Sequence, residues 1–105
     1  MQRIGFLLKV KQEKIEEYKV HHATVWPEML DALSRHGWRN YSLFVRPDGL
    51  IFGYFETDDL DAARAGMSKE EVNTRWQAFM APYFDMGDIQ AGKISMTLEE
   101  VFHLD

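Results

Sequence analysis

Residues 38–56, WRNYSLFVRPDGLIFGYFE, decide the fold. Arg39, Tyr41, Leu43 and Val45 alternate with Trp38, Asn40, Ser42 and Phe44, which is the period-2 pattern of a strand. Pro47-Asp48-Gly49 then forms a turn, because proline presets φ and glycine accepts φ > 0. Leu50 to Glu56 is a second strand, so the stretch reads as a β-hairpin. Upstream, Gly37 follows His36 as the residue that ends a helix. That helix opens at Pro27, with Glu28 beside it suiting the helix dipole, and carries Met29, Leu30, Ala32 and Leu33. The stretch from Glu13 to about Thr24 is also helix-permissive, with Ile15, Tyr18 and His22 on one face. Before it, Ile4, Phe6, Leu8 and Val10 alternate with Arg3, Gly5, Leu7, Lys9 and Lys11, predicting a strand over Arg3 to Lys11.

Downstream, Asp58 to Met67 is Ala-rich and predicts a helical turn or two. Ser68 and Glu71 have the spacing of a capping box. The helix they would open carries Val72, Arg75, Trp76, Phe79, Met80 and Tyr83 at i, i+3, i+4 spacing, and Pro82 marks its stop or kink. Residues 84–94, with Gly87 and Gly92, read as a loop. A last strand starts at Ile94 or Thr97 and runs to His103. The order β-α-β-β-α-β predicts an α+β, ferredoxin-like sandwich: a four-stranded antiparallel sheet with its main helices on one face. The other face, rich in aromatic residues, then needs a ligand or a second subunit to cover it, and a homodimer is the simplest cover.

The chain has 105 residues, so residues 1–105 are expected to form a single domain. It has no cysteine, which excludes disulfides, thiol catalysis and Cys-ligated metals. A net charge of −5 argues against nucleic acid as the main partner, since phosphate contacts need a basic face. No apolar run is long enough for a membrane span and the N-terminus lacks a signal-peptide core, so a cytoplasmic protein with no membrane partner is expected.

Among residues that carry chemistry, His21-His22 cannot chelate one metal from a regular helix, because successive side chains point about 100° apart. His22 shares a face with Tyr18, one turn away, which is either an acid/base site or a surface His on an amphipathic helix. Trp26 before Pro27 is either a hydrophobic anchor or a pocket wall. Trp76 is either core or an aromatic platform of the kind that suits sugars. Tyr41 and Tyr54 each carry a phenol to one face of the sheet. Glu99 and Glu100 point to opposite faces of a strand, so at most one enters a shared site. No phosphate loop, HExxH, G-x-S-x-G or EF-hand loop is present.

As an ordered set, these residues resemble the L-rhamnose mutarotase family over nearly the whole chain. The resemblance is densest in Glu17-Tyr18 with His22, Trp26-Pro27-Glu28, His36-Gly37 with Asn40-Tyr41, Arg75-Trp76 with Met80, and Leu98 to Phe102. It implies a cytoplasmic homodimer of dimeric α/β-barrel fold that interconverts the α and β anomers of L-rhamnose without a cofactor or metal. It further implies that His22 is the proton donor and that Tyr18, Tyr41 and Trp76 bind the sugar. Where family members often carry two successive Trp residues, this chain has Trp76-Gln77. The rival from another enzyme class is a haem- or quinone-directed monooxygenase on the same fold, with His21 or His22 as haem ligand. Lys19 and Glu16-Glu17 make that helix polar, which argues against it. A non-catalytic sugar-binding dimer would keep Tyr18, Tyr41 and Trp76 but tolerate loss of His22.

Overall fold

The structure, a computed structural model, describes residues 1–87 and 97–105. The hairpin forms as read: β2 (Arg39–Val45) pairs antiparallel with β3 (Leu50–Thr57). At its turn Asp48 accepts from both Arg46 and the Leu50 amide, and Gly49 takes φ +96°. β1 (Gln2–Lys9) pairs antiparallel with β3, and β4 (Thr97–Leu98) with β1, giving the sheet order β2-β3-β1-β4. The result is an α+β fold with a four-stranded antiparallel sheet.

Among the described residues each crossover contributes two α-helices. α1 (Ile15–Ala23), preceded by a 3-10 turn over Gln12–Lys14, leads to α2 (Pro27–Arg35). Pro27 sits in the first turn of α2, where its missing N–H costs nothing. The helix closes with the Gly37 amide donating to Ser34 O and the Trp38 amide to Leu33 O, with Gly37 at φ +83°. That paired closure is the Schellman motif, and it requires the glycine.

Three boundaries differ from expectation. Asp58 to Met67 is a nine-residue helix, α3 (Leu60–Ser68), started by the Asp59 side chain accepting from the Ala62 amide. Because α3 runs through Ser68, no capping box forms there: Ser68 Oγ donates to Ala65 O, and Glu70 is the N-cap of α4 (Glu71–Met80). Pro82 lies in a 3-10 turn, Ala81–Tyr83, that ends α4. The final strand is only Thr97–Leu98, and residues 99–105 extend without a sheet partner. The predicted loop beyond Gly87, Gly92 included, lies outside the described residues, as does a strand start at Ile94.

The core fills the space between one sheet face and the helices. Val10, Ile51 and Ala32 are fully buried there, with Tyr18, Met29, Met67, Val72, Trp76 and Met80 around them. A second cluster, Ile4, Phe6 and Phe55, continues along the same face. The opposite face carries Arg3, Gly5, Phe52, Tyr54, Leu98 and Phe102, and among the described residues no helix lies over it. Among the described residues no helix is long and apolar enough to cross a membrane.

Gly53 shows how tightly the inner face is packed. It pairs with Phe6, and a Cβ at this position would fall inside the Phe6 ring. Gly53→Ala should therefore displace Phe6 and cost roughly 1–3 kcal/mol, the usual penalty for overpacking. Urea unfolding should show a lower midpoint at unchanged m value. An unchanged midpoint would mean that Phe6 has room to move.

Candidate active site

α1 presents Tyr18 and His22 one turn apart, and their rings stack with centroids 4.0 Å apart. α4 brings the Trp76 ring edge-on to His22 at 5.4 Å. The His22 imidazole is thus held between two aromatic rings. Its Nδ1 lies 3.0 Å from the Tyr18 carbonyl oxygen. A carbonyl only accepts, so Nδ1 carries a proton and Nε2 is the nitrogen left open. Among the described residues Nε2 has no hydrogen-bond partner.

β2 supplies the opposite wall, and here the alternation read from sequence is corrected. Between Arg39 and Ser42 the strand carries one residue more than β3 opposite. The bulge centres on Asn40, which takes φ +49° and donates through Nδ2 to Glu56 Oε1 at 2.9 Å. Asparagine tolerates this left-handed conformation better than most residues. The extra residue reverses the phase of the strand, so Trp38 and Tyr41 turn to the same, helix-facing side. Their rings lie 5.2 Å apart, and Trp38 stacks on Phe55 at 3.9 Å.

Tyr18, His22, Tyr41 and Trp76 all line one concave region, whose larger lobe has a volume of about 670 Å³. That is ample for a pyranose and typical of a small-molecule site. Trp38, Leu43, Arg64 and Gln77 complete its shared lining. Trp76 is both things the sequence allowed: it is 6% exposed, within the core, and it forms part of the cavity wall.

The remaining candidates lie elsewhere. His21 shares a 2.9 Å hydrogen bond with the Tyr83 hydroxyl and meets Phe79 edge-on, away from His22's partners. Trp26 is the hydrophobic anchor, packed against Trp76 and Phe79 with the Arg75 guanidinium 5.9 Å above it. Tyr54 faces the outer sheet surface and donates to Glu56. Glu100 forms a two-point ion pair with Arg3 on that outer surface, and Glu99 lies beside it. Among the described residues no three His, Asp or Glu side chains converge as a metal site would require.

Sequence reasoning missed Trp38 and Arg64 as cavity residues. The bulge that turns Trp38 inward has only Asn40 as a sequence signal. Arg64, on α3, had none beyond being a lone cation in an Ala-rich stretch.

Burial shifts the titrating groups. It raises the Tyr18 phenol far above its ordinary value, helped by Tyr41 nearby, and pushes Tyr41 up to about 12. Both phenols therefore stay protonated and act as hydrogen-bonding groups near neutrality. Burial lowers His22 below 6.5; the Tyr18 carbonyl partly opposes this and His21 adds to it. A histidine whose folded value lies below the unfolded one is less protonated in the folded chain. Its contribution to stability is therefore lost as pH falls from about 6.5 toward the folded value. An NMR titration of the His22 ring should give a midpoint below 6.5. Removing the wall with Trp76→Ala should move that midpoint back up, and a midpoint unmoved in the variant would assign the shift to another cause.

A family model described as L-rhamnose mutarotase matches residues 3–104. An L-rhamnose mutarotase from Bacillus subtilis is 39% identical over 106 aligned positions, covering all of both chains. One from Oceanobacillus iheyensis is 36% identical over the same extent. The crystal structure of an L-rhamnose mutarotase from Formosa agariphila superimposes with a TM-score of 0.81 at 24% identity, again covering both chains completely. A conserved protein from Methanosarcina mazei shares the fold more loosely, with a TM-score of 0.58 at 15% identity over 79% of this chain and 80% of that one. With a family model spanning nearly every residue and full-length relatives above one-third identity, the chain belongs to the L-rhamnose mutarotase family.

Proposed function

We propose that this protein interconverts the α and β anomers of L-rhamnose, with His22 as the proton-transferring group. The observation that carries the chemistry is the single open nitrogen of a histidine fixed between two rings in a cavity of sugar size. Family membership selects this reading over the haem-directed one.

Anomerisation opens the pyranose to an aldehyde and closes it on the other face of C1. In the neutral tautomer set by the Tyr18 carbonyl, His22 Nε2 takes the proton from the anomeric hydroxyl O1. The O1 electron pair forms the C1=O1 bond, and the C1–O5 bond breaks with its pair going to the ring oxygen O5. The His22 imidazolium donates its proton to O5. O1 and O5 are both bonded to C1, so one nitrogen serves both. Rotation about C1–C2 and the reverse steps give the other anomer. Tyr18 and Tyr41 hold the sugar by hydrogen bonds, and Trp76 provides an apolar wall for its C–H edge. This chemistry calls for no cofactor.

The working form is a cytoplasmic homodimer in which two ferredoxin-like sheets pack as a dimeric α/β-barrel. What supports this is the uncovered sheet face: Phe44 is 61% exposed and Phe52 41%, stacked on each other, with Leu98 and Phe102 also exposed. An aromatic patch of this kind suits a second copy of the same face.

Saturation-transfer NMR on L-rhamnose should show exchange between anomers accelerated by the protein. His22→Ala should lose about 10²- to 10⁴-fold of that acceleration while still binding sugar. In the wild type the rate should decline as pH falls through the lowered His22 value, since the neutral form starts the reaction. Unchanged exchange in His22→Ala would sink the assignment. For the dimer, Phe44→Glu should weaken association by at least about 1.5–3 kcal/mol, the value of one buried aromatic ring, seen by sedimentation equilibrium. A dimer of unchanged affinity would place the interface elsewhere.

A further inference from the structure

We propose that the cavity also accepts hexuronates, aldopyranoses whose C6 is a carboxylate, and that Arg64 is the residue that selects them. The proposal rests on the cavity being the anomerisation site. Its starting point is a charge imbalance. The chain carries seventeen acidic residues against twelve Lys and Arg, yet no Asp or Glu is among the described residues that line either lobe. Two cations are. Lys19 lines the larger lobe, and Arg64 lines both, together with His22, Tyr18, Tyr41 and Trp76.

Arg64 also differs from most other arginines of the chain. Arg3 pairs with Glu100, Arg35 with Asp31 and Glu70, Arg46 with Asp48, and Arg75 with Glu28 and Glu71. Arg64 donates to the Thr97 hydroxyl at 3.1 Å, and among the described residues no carboxylate pairs with it. Its guanidinium has five N–H donors, so that one bond leaves most of them available. A planar carboxylate is the ligand such a fork matches best, through two parallel charge-assisted bonds.

The position of the charge on the sugar follows from the cavity. Arg64 and His22 line the same two lobes, so a sugar whose C1 and O5 lie at His22 can turn an anionic group on the ring toward Arg64. C6 is attached to C5, the ring neighbour of O5, and in a hexuronate it is the carboxylate. The ring opening is unchanged: the same proton moves from O1 through His22 to O5.

The test compares anomer exchange of D-galacturonate, its uncharged methyl ester and L-rhamnose by saturation transfer at low ionic strength. The wild type should accelerate the galacturonate at least about tenfold more than the ester, the scale of one charge-assisted contact. That ratio should shrink in high salt. It should collapse toward one in Arg64→Met and recover in Arg64→Lys, which restores the charge. No acceleration of galacturonate, or a galacturonate-to-ester ratio that Arg64→Met leaves unchanged, would overturn the proposal. L-rhamnose is the separate readout of the underlying assignment: with galacturonate inert, its acceleration means that only the hexuronate proposal has failed. Loss of exchange for all three sugars would bring down both.

Discussion

One surplus residue in β2, at Asn40, determines which aromatic rings face the helices. Without it, strict alternation would put Trp38 and Tyr41 on opposite faces of the sheet. With it, both rings join Phe6 and Phe55 on the inner face, and the cavity gains a wall opposite α1 and α4. The left-handed backbone at Asn40 is disfavoured for most residues, so it needs support. Glu56 provides it, accepting from the Asn40 side chain and from the Tyr54 hydroxyl. That support comes from the outer face of the sheet, so the shape of the inner cavity depends on polar contacts on the far side of the same strands.

The opposite wall is organised around a single imidazole. Aromatic packing against Tyr18 and Trp76 fixes the ring, and a backbone carbonyl fixes its tautomer. The two influences oppose each other electrostatically. Burial disfavours the imidazolium, whereas the carbonyl stabilises it. Burial dominates, so the resting ring is neutral and ready to accept a proton. The carbonyl keeps the charged form accessible once that proton arrives. A histidine with no such partner in the same pocket would be a weaker base and free to change tautomer.

Most of this was legible from sequence where a local rule governs. Period-2 runs located β1, β2 and β3, and Pro27 and Gly37 bracketed α2 because each does something no other residue does as well there. The i, i+4 spacing placed Tyr18 and His22 on one face, and the stripe on α4 brought Trp76 inward. What failed was non-local or competitive. Ser68 failed as a helix start because the Ala-rich segment capped by Asp59 continues through it, which leaves Glu70 as the N-cap of α4. The final strand stopped at Leu98, leaving the alternation of the following residues without a ladder to join. Arg64 entered the cavity through the packing of α3, which spacing within α3 does not reveal.

The same sheet presents two surfaces with different requirements. Among the described residues four α-helices pack on the inner face, and the cavity between them and the sheet is lined by rings, two cations and a histidine. Among the described residues no helix covers the outer face, where Phe44, Phe52 and Phe102 are exposed. Polar links cross that face, Arg3 to Glu100 and Tyr54 to Glu56, but their reach is short and they leave the aromatic patch open. In the homodimer proposed above, a second copy of the sheet would supply matching apolar area with no added sequence, because a two-fold axis sets the same patch of both copies face to face. Among the described residues, the one-sided placement of helices that builds the cavity also leaves the aromatic patch of the other face exposed.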